Sequence, residues 1–412
     1  MRDRLPSARW LFVAVAAAAM GAAGTYQFVW SSIRPALGQQ VGASEAALGT
    51  VFTVYVVAQT LSQFPAGRFR DRHGPRLPIA AGAVLLAVGY VGTGLATAVW
   101  QAYLFYAVGG VGAGAVYTVA VNTPVKWFTD RRGLATGAVT MAYGGVSVLF
   151  IPYVRGGLAA DFGGTLAVVA AVTGGVSLLG AAVLRDPDRD AAAADGGSES
   201  GDGDGDGDGD ERGATGSDGA AYGWRETVRT WQFWVLYAMF VVVNGVGLML
   251  IGKAVAFAEQ FGLSAAVATG AASVVALSDS AGIVTVGGLS DRLGRERTVA
   301  ATVSLCGVAV AAAVWAGAAG RGPLFVALLG AAAFFRSPVF SVVPALVGEY
   351  YGAARSSENY ALLYTAKVWG GVVGGVAASL LIAAVGWSTA FLLGAAAMTG
   401  VGLLSGLLRP VE

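Results

Sequence analysis

The chain has 412 residues, 56% of them hydrophobic and 12% charged, and its mean hydropathy is +0.65. Such a composition excludes a soluble globular protein of this length and favours a helical protein with many membrane-spanning segments. The net charge of +1, the single cysteine and the single histidine exclude a basic nucleic-acid surface, an intramolecular disulfide and a histidine-based metal site. We therefore expect the lipid bilayer as the surrounding medium and no cofactor, no metal and no nucleic-acid partner.

Twelve apolar segments follow one another along the chain, separated by short loops that contain charged residues, glycine or proline. Each is near the length of about 20 residues that a helix needs to cross a membrane. The first segment follows three arginines and is too long for the core of a signal peptide, so we expect it to remain as a membrane span. The predicted spans are 10–33, 47–66, 77–98, 101–124, 133–154, 164–184, 231–257, 265–289, 298–319, 323–348, 357–382 and 386–407.

The fold class that these spans predict is an all-α membrane protein with twelve transmembrane helices in two pseudo-symmetric six-helix bundles. Residues 1–184 would form the first bundle and 231–412 the second. Between them, residues 185–230 are rich in aspartate and glycine and cannot bury enough apolar area to fold, so we predict a disordered cytoplasmic linker. Part of this tract resembles a calcium loop in its aspartate spacing, but it lacks the flanking helices and the glutamate at position twelve.

The distribution of basic residues predicts the orientation of the chain. With a cytoplasmic N-terminus, the cytoplasmic ends and loops hold 20 of the 26 lysines and arginines. We therefore expect a monomeric multi-pass protein of the plasma membrane with both termini in the cytoplasm. The four basic residues assigned to the other side are Arg34, Arg155, Lys253 and Arg321.

One loop pattern occurs twice, at matching positions of the two halves. The segment GRFRDRHGPR, residues 67–76, follows the second span, and GGLSDRLGRER, residues 287–297, follows the eighth. We place both in short cytoplasmic loops. A repeat of this kind is typical of a transporter whose site lies between its two halves. The repeated residues are Gly67, Asp71, Arg72, Gly74 and Arg76 in the first copy and Asp291, Arg292, Gly294 and Arg295 in the second.

The first copy resembles the loop motif of the major facilitator superfamily, Gly-x-x-x-Asp-Arg-x-Gly-x-Arg, in full. The resemblance implies a cytoplasmic gate, in which the aspartate faces a helix N-terminus and the arginines bind acids or carbonyls of the neighbouring bundle. The alternative is a basic loop that only sets the orientation of the chain. That alternative explains the arginines but not the repeated glycines and aspartate.

Four further segments resemble the oxalate/formate antiporter family and its monocarboxylate-porter relatives. They are residues 126–137, 230–252, 343–352 and 359–370. In that family a lysine on the eleventh helix contacts the substrate carboxylate, and Lys367 matches its position. The family's arginine on the eighth helix is replaced here by Ile283. The resemblance implies a transported organic anion and makes a monocarboxylate the better expectation than oxalate.

Three charged residues lie deep within predicted spans: Asp279, Arg336 and Lys367. Counted along their helices, all three are about 15 to 18 Å from the cytoplasmic ends, so they share one layer. A buried ammonium costs at least about 2.5 to 3.5 kcal/mol and is retained where it meets a counter-charge, water or an anionic ligand. The two positive charges and one negative charge leave a surplus that a carboxylate would neutralise.

The roles of these charges have alternatives. Arg336 can supply the guanidinium that is missing at Ile283, or it can pair with Asp279 only to permit membrane insertion, which leaves Lys367 for the substrate. If Asp279 is not merely a structural partner, we expect it to couple transport to protons. Tyr364 shares a helical face with Tyr360, Lys367, Gly371 and Gly374. Further candidates for the cavity wall, each also compatible with simple packing, are Tyr26, Tyr55, Gln59, Tyr117 and Tyr143.

Together these observations predict a secondary carrier for a small organic anion, such as formate, lactate, pyruvate or oxalate, working by proton symport or anion exchange. No sequence pattern indicates an enzyme. The alternatives are a carrier for a neutral or drug-like solute on the same fold and a transporter-like sensor.

Overall fold

The computed structural model describes residues 5–128, 132–186, 222–352 and 356–411, and these ranges contain helices and no strands. Twelve helical segments in them are long and apolar enough to cross a membrane. The predicted all-α membrane fold with twelve spans is therefore confirmed.

The first bundle contains six crossings, of which the first and fifth are each built from two helices. Its helices are α1 (Leu5–Phe28), α2 (Trp30–Val41), α3 (Glu45–His73), α4 (Arg76–Gly94), α5 (Val99–Trp127), α6 (Arg132–Gly145), α7 (Ser147–Gly157) and α8 (Phe162–Val183). The breaks between α1 and α2 and between α6 and α7 each fall at a single valine.

The second bundle begins after a short helix, α9 (Trp224–Thr227), and again contains six crossings. Its tenth and eleventh crossings are interrupted. Its helices are α10 (Trp231–Gln260), α11 (Ala265–Leu293), α12 (Arg295–Ala318), α13 (Gly322–Arg336), α14 (Val339–Tyr351), α15 (Ser356–Tyr364), α16 (Ala366–Val372), a π-helical turn (Val373–Ala377), α17 (Ala378–Val385) and α18 (Trp387–Ser405).

Helices α3 and α11 run further than the apolar pattern predicts, because each continues through most of the repeated motif. Gly74 and Gly294, with φ of 78° and 87°, end these helices in a conformation that favours glycine. The motif residues before these glycines are therefore helical, and the prediction of two motif loops is wrong: only a short turn remains. We call the side of the molecule with these two turns the termini face, and the side where α2 and α10 end the opposite face.

The eleventh crossing is not one continuous helix. Thr365 separates α15 from α16, and the π-helical turn adds a residue to the following turn. A Cβ on Gly371 would lie 2.7 Å from Val56 of α3, whereas one on Gly374 would lie 2.9 Å from Leu248 of α10. The predicted common face of Tyr360, Tyr364, Lys367, Gly371 and Gly374 is therefore divided, since its two glycines pack on different bundles.

Part of the predicted linker is ordered. The Tyr222 amide donates to the Tyr351 carbonyl oxygen at 3.0 Å, and the Asn359 side chain donates to the Tyr222 carbonyl oxygen at 3.0 Å. Helix α9 follows at once. The prediction of disorder is therefore wrong for residues 222–230, which pack on the second bundle. The acidic core of the linker, 187–221, lies outside the described residues.

The two bundles contact one another in the half of the molecule near the opposite face. The Thr53 hydroxyl of α3 donates to the Gly371 carbonyl oxygen at 3.1 Å and accepts from the Val376 amide at 3.0 Å. Beyond them, Arg155 of α7 pairs with Glu259 of α10 at 3.1 Å. These contacts close the interface on the opposite face.

Two basic residues that were assigned to this side, Arg34 and Lys253, are buried within α2 and α10. The prediction assigned them by proximity to span ends. Both helices continue for about two more turns beyond these residues, and the side of the membrane on which they lie stays a prediction.

Candidate functional site

A lysine near the middle of the eleventh crossing binds across the interface between the bundles. Lys367 is 7% exposed, and its ammonium donates to the Gln59 amide oxygen of α3 at 3.0 Å. Within the described residues its only hydrogen-bond partner is this neutral oxygen, and no carboxylate pairs with it. A neutral partner does not compensate the positive charge of a protonated lysine, so that charge is left unneutralised in the interface.

Gln59 is held by a polar network that belongs to the first bundle. Its amide nitrogen donates to the Tyr143 hydroxyl at 3.2 Å, and that hydroxyl donates to the Gln27 side-chain oxygen at 3.2 Å. The Tyr55 hydroxyl lies 3.3 Å from the Tyr143 hydroxyl. The predicted residues Tyr55, Gln59 and Tyr143 are thus brought together beside Lys367.

Gln27 belongs to this network but was not predicted. Its only signal in the sequence is an amide at mid-depth of the first span, next to Tyr26. The break between α1 and α2 begins two residues later, at Val29, so helical periodicity alone does not place the Gln27 side chain.

The other two deep charges form an ion pair. The guanidinium of Arg336 on α13 binds the Asp279 carboxylate on α11, and the two residues are 4% and 7% exposed. Asp279 stands one helical turn before Ile283. The guanidinium therefore reaches the eighth crossing near the position where the resembled family has its arginine.

A glycine makes room for this arginine. A Cβ on Gly247 of α10 would overlap the Arg336 side chain. Lys367 and Arg336 are close enough to interact electrostatically, as are Lys367 and Asp279. The structure thus assembles the three predicted charges as one pair and one separate cation.

Tyrosines surround the separate cation. The Lys367 ammonium lies 5.6 Å from the centre of the Tyr364 ring, within the range of a cation–π contact. Tyr117 packs edge-on against Tyr143 with ring centres 5.3 Å apart. These three tyrosines are half-buried, whereas Lys367 is buried.

Tyr26 is placed differently from the other predicted tyrosines. Its hydroxyl donates to the Leu86 carbonyl oxygen at 2.9 Å, inside the first bundle, and its ring packs 4.0 Å from that of Tyr90. A Cβ on Gly89 or Gly109 would overlap it. The structure does not bring the Tyr26 hydroxyl to Lys367.

The repeated motif has only a partly described environment. The side chains of Asp71, Asp291 and Arg292 lie outside the described residues. Gly67 lies within α3, Arg72 and Arg76 are exposed, and Arg295 pairs with Glu349 of α14. Their proposed role as a gate stays a prediction.

Arg70, within the motif segment, has a structural role that the sequence did not indicate. Arg70 is 1% exposed and pairs with Asp186 at 3.2 Å, and Lys126 pairs with the same carboxylate at 3.1 Å. The start of the predicted linker is thereby bound to the first bundle at the termini face.

Comparison with known proteins supports a transporter. A family model described as the Major Facilitator Superfamily matches residues 11–252 and 241–412. The chain is 30% identical over 386 residues to the oxalate:formate antiporter of Oxalobacter formigenes, covering 93% of this chain and 88% of that protein. It is 26% identical to the uncharacterized MFS-type transporter YhjX of Escherichia coli strain K12, covering 82% of this chain and 79% of that protein.

A solved structure supports the fold. A bacterial homolog of the human lysosomal transporter Spinster, in an inward-facing and unoccupied conformation, matches with a TM-score of 0.68. The match covers 98% of this chain and 95% of that chain at 16% identity. At this identity the likeness extends to the fold alone.

Proposed function

Because this chain belongs to the Major Facilitator Superfamily, we propose that it is a secondary carrier that moves a small organic anion by alternating access. The anion is a monocarboxylate such as formate, lactate or pyruvate, with oxalate as the alternative. The oxalate:formate antiporter of Oxalobacter formigenes, 30% identical to this chain, supports this class of substrate.

The observation that carries the proposal is the unpaired charge of Lys367. Arg336 has Asp279 as its counter-ion, whereas the Lys367 ammonium binds only the Gln59 amide oxygen among the described residues. A carboxylate oxygen can take the place of that amide oxygen and neutralise the buried cation. A cationic drug would be repelled at the same place, which argues against a drug carrier.

The same charges allow two modes of coupling. In anion exchange, one carboxylate replaces another at Lys367 and the Asp279–Arg336 pair remains intact. In proton symport, Asp279 takes up a proton, the pair loses its attraction, and Arg336 becomes free to bind the carboxylate in bidentate fashion. We propose Asp279 as the group on which the choice between these modes depends.

The setting follows from the sequence and the twelve spans. The chain is a multi-pass membrane protein. We propose that it lies in the plasma membrane as a monomer with both termini in the cytoplasm, so that the opposite face is outside and the closed interface faces away from the cell. It carries out no enzymatic reaction and needs no cofactor.

Uptake by the purified protein in proteoliposomes tests the proposal. We expect uptake of at least one of labelled formate, lactate, pyruvate or oxalate, and we expect Lys367→Gln to abolish it, because the substituted amide cannot neutralise a carboxylate. Lys367→Arg, which keeps the charge, should retain part of the uptake. Unchanged uptake by a well-folded Lys367→Gln variant would show that the anion binds elsewhere.

A further inference from the structure

Two buried cations lie near the opposite face, one on the first crossing of each bundle. Arg34 stands on α2 seven residues before its last residue, Val41, and Lys253 stands on α10 seven residues before its last residue, Gln260. Each is 2% exposed. Both lie about 10 Å inside the ends of their helices. The two positions correspond in the two pseudo-symmetric bundles.

Closure of the interface brings these cations into one neighbourhood. The Arg34 guanidinium carbon lies 6.0 Å from the ring centre of Trp387, which belongs to the second bundle. Trp387 in turn stacks on Phe257, one helical turn beyond Lys253, with ring centres 6.2 Å apart. Helix α2, which carries Arg34, packs against helix α10, which carries Lys253. Since both charges are positive, their approach opposes closure.

The polar groups around these cations do not balance their charge. The Lys253 ammonium donates to the Ser379 hydroxyl at 2.6 Å, and no carboxylate of the described residues pairs with it. Arg34 pairs with Glu45, whose side chain is 45% exposed, and the buried Nε of Arg34 has no partner within the described part of the chain. Of the two cations, only Arg34 has an acid as its partner, and that acid is partly solvated.

We propose that Arg34, Lys253 and Ser379 form a second anion site at the closed opposite face, which takes a small monovalent anion. An anion between the two cations would neutralise the surplus charge, accept hydrogen bonds from Lys253 and from the free Nε of Arg34, and stabilise the closed interface. Chloride and the carboxylate of a departing substrate share this chemistry. Only the second source rests on the proposed function.

Thermal unfolding of the full-length protein in detergent tests the site, because an anion that binds the folded protein raises its melting temperature. The probes are sodium chloride and sodium formate, each compared with sodium gluconate at equal ionic strength. We expect both small anions to raise Tm by about 2 °C or more in the wild type. We expect the chloride rise to persist in Lys367→Gln, in which the central site is disabled but the second site is intact. Any part of the formate rise that is lost in this variant belongs to the central site of the proposed function.

The variants at the second site should behave differently. Lys253→Met and Arg34→Gln should lose most of the rise, and Lys253→Arg, which keeps the charge, should retain it. Arg321→Gln removes an exposed cation from the same face and should leave the rise unchanged. If Lys253→Met folds poorly, Arg34→Gln and Lys253→Arg still decide the question.

Each outcome has a definite meaning. A rise that persists undiminished in both Lys253→Met and Arg34→Gln overturns the second site. A rise lost in Lys367→Gln but kept in these two variants also overturns it, and places the anion at the central site of the proposed function. A rise with formate alone that is lost in Lys253→Met and Arg34→Gln supports the second site with the transported carboxylate as its ligand, and a rise with both salts that is lost in these variants supports a general site for small anions.

Discussion

At the scale of single residues, the partner of Lys367 decides what the central site can do. The Gln59 amide offers an oxygen acceptor without a negative charge, so it orients the ammonium without neutralising it. Tyr143 holds the other end of the same amide. An amide at this position keeps the cation available, whereas a carboxylate would occupy it permanently.

The first prediction tests this difference. Gln59→Glu has nearly the same shape but places a carboxylate beside Lys367, and this internal ion competes with the substrate. We expect the affinity for the transported anion to fall at least about tenfold, which corresponds to about 1.4 kcal/mol. Uptake against anion concentration measures it. The control is Gln59→Met, which removes the acceptor without adding charge, and equal losses in both variants would contradict the argument.

The second prediction concerns the ion pair. Asp279→Asn keeps an acceptor for Arg336 but cannot take up a proton, so we expect proton-driven accumulation to be lost while exchange is partly retained. Uptake and counterflow, each with and without a pH gradient, separate the two activities. Asp279→Glu, which can still be protonated, should keep the response to pH. If uptake by Asp279→Asn responded to a pH gradient as the wild type does, Asp279 would not be the proton-coupling group.

How much of this site could be foreseen also differs residue by residue. The depth of Asp279, Arg336 and Lys367 follows from counting along helices, because a charge within an apolar segment is conspicuous. The partners do not follow. Whether Gln59 faces Lys367 depends on how the two bundles are rotated against each other, and a single sequence contains no direct measure of that rotation.

At the scale of helices, small residues determine how closely the charged groups approach their neighbours. Gly247 of α10 leaves the space that the Arg336 side chain occupies. Across the interface, Gly371 and Gly375 of the eleventh crossing lie against α3 near Thr53. Glycine at these places is required by contact rather than by backbone conformation.

The third prediction follows from the contact at Gly247. Gly247→Ala adds a methyl group where Arg336 lies, and overpacking of this kind costs about 1 to 3 kcal/mol. We expect a lower melting temperature and reduced uptake, both measured on the purified protein. Gly400→Ala is the matched control, because a Cβ there meets no atom within 4 Å and should leave both properties near those of the wild type. Equal behaviour of the two variants would contradict the proposed contact.

The helices themselves show what pattern analysis can and cannot provide. Their number and approximate positions follow from apolar length, since each must span the same thickness of hydrocarbon. Their ends do not, because α3 and α11 continue as polar helices until a glycine stops them. The interruptions at Val29, Val146 and Thr365 leave no break in the hydrophobic pattern and were not foreseen.

At the scale of the whole molecule, the two bundles are in contact near the opposite face. The Arg155–Glu259 pair crosses the interface there, and the Thr53 hydroxyl binds the backbone of the eleventh crossing. In an alternating-access carrier these contacts must break when the site opens to that side.

The fourth prediction uses the outermost of these contacts. In a Cys306→Ser background, Arg155→Cys and Glu259→Cys together place one thiol on each bundle. A short bifunctional thiol reagent should join them and abolish uptake, and cleavage of the link by a reductant should restore it. Each single-cysteine variant treated with the same reagent is the control and should remain active. Full uptake by the linked protein would mean that this side need not open.

The π-helical turn of the eleventh crossing determines the direction in which the side chains after it point around the helix axis. Lys367 and Ser379 are twelve residues apart, a spacing that turns an uninterrupted α-helix by about 120°, whereas one inserted residue reduces the offset to about 20°. Lys367, which binds Gln59, and Ser379, which binds Lys253, therefore lie on nearly the same side of the helix at two different heights. Removing a single residue from 373–377 would restore a regular α-helix and keep this offset, whereas removing two residues would rotate Ser379 away by about 100° and leave Lys367 in place.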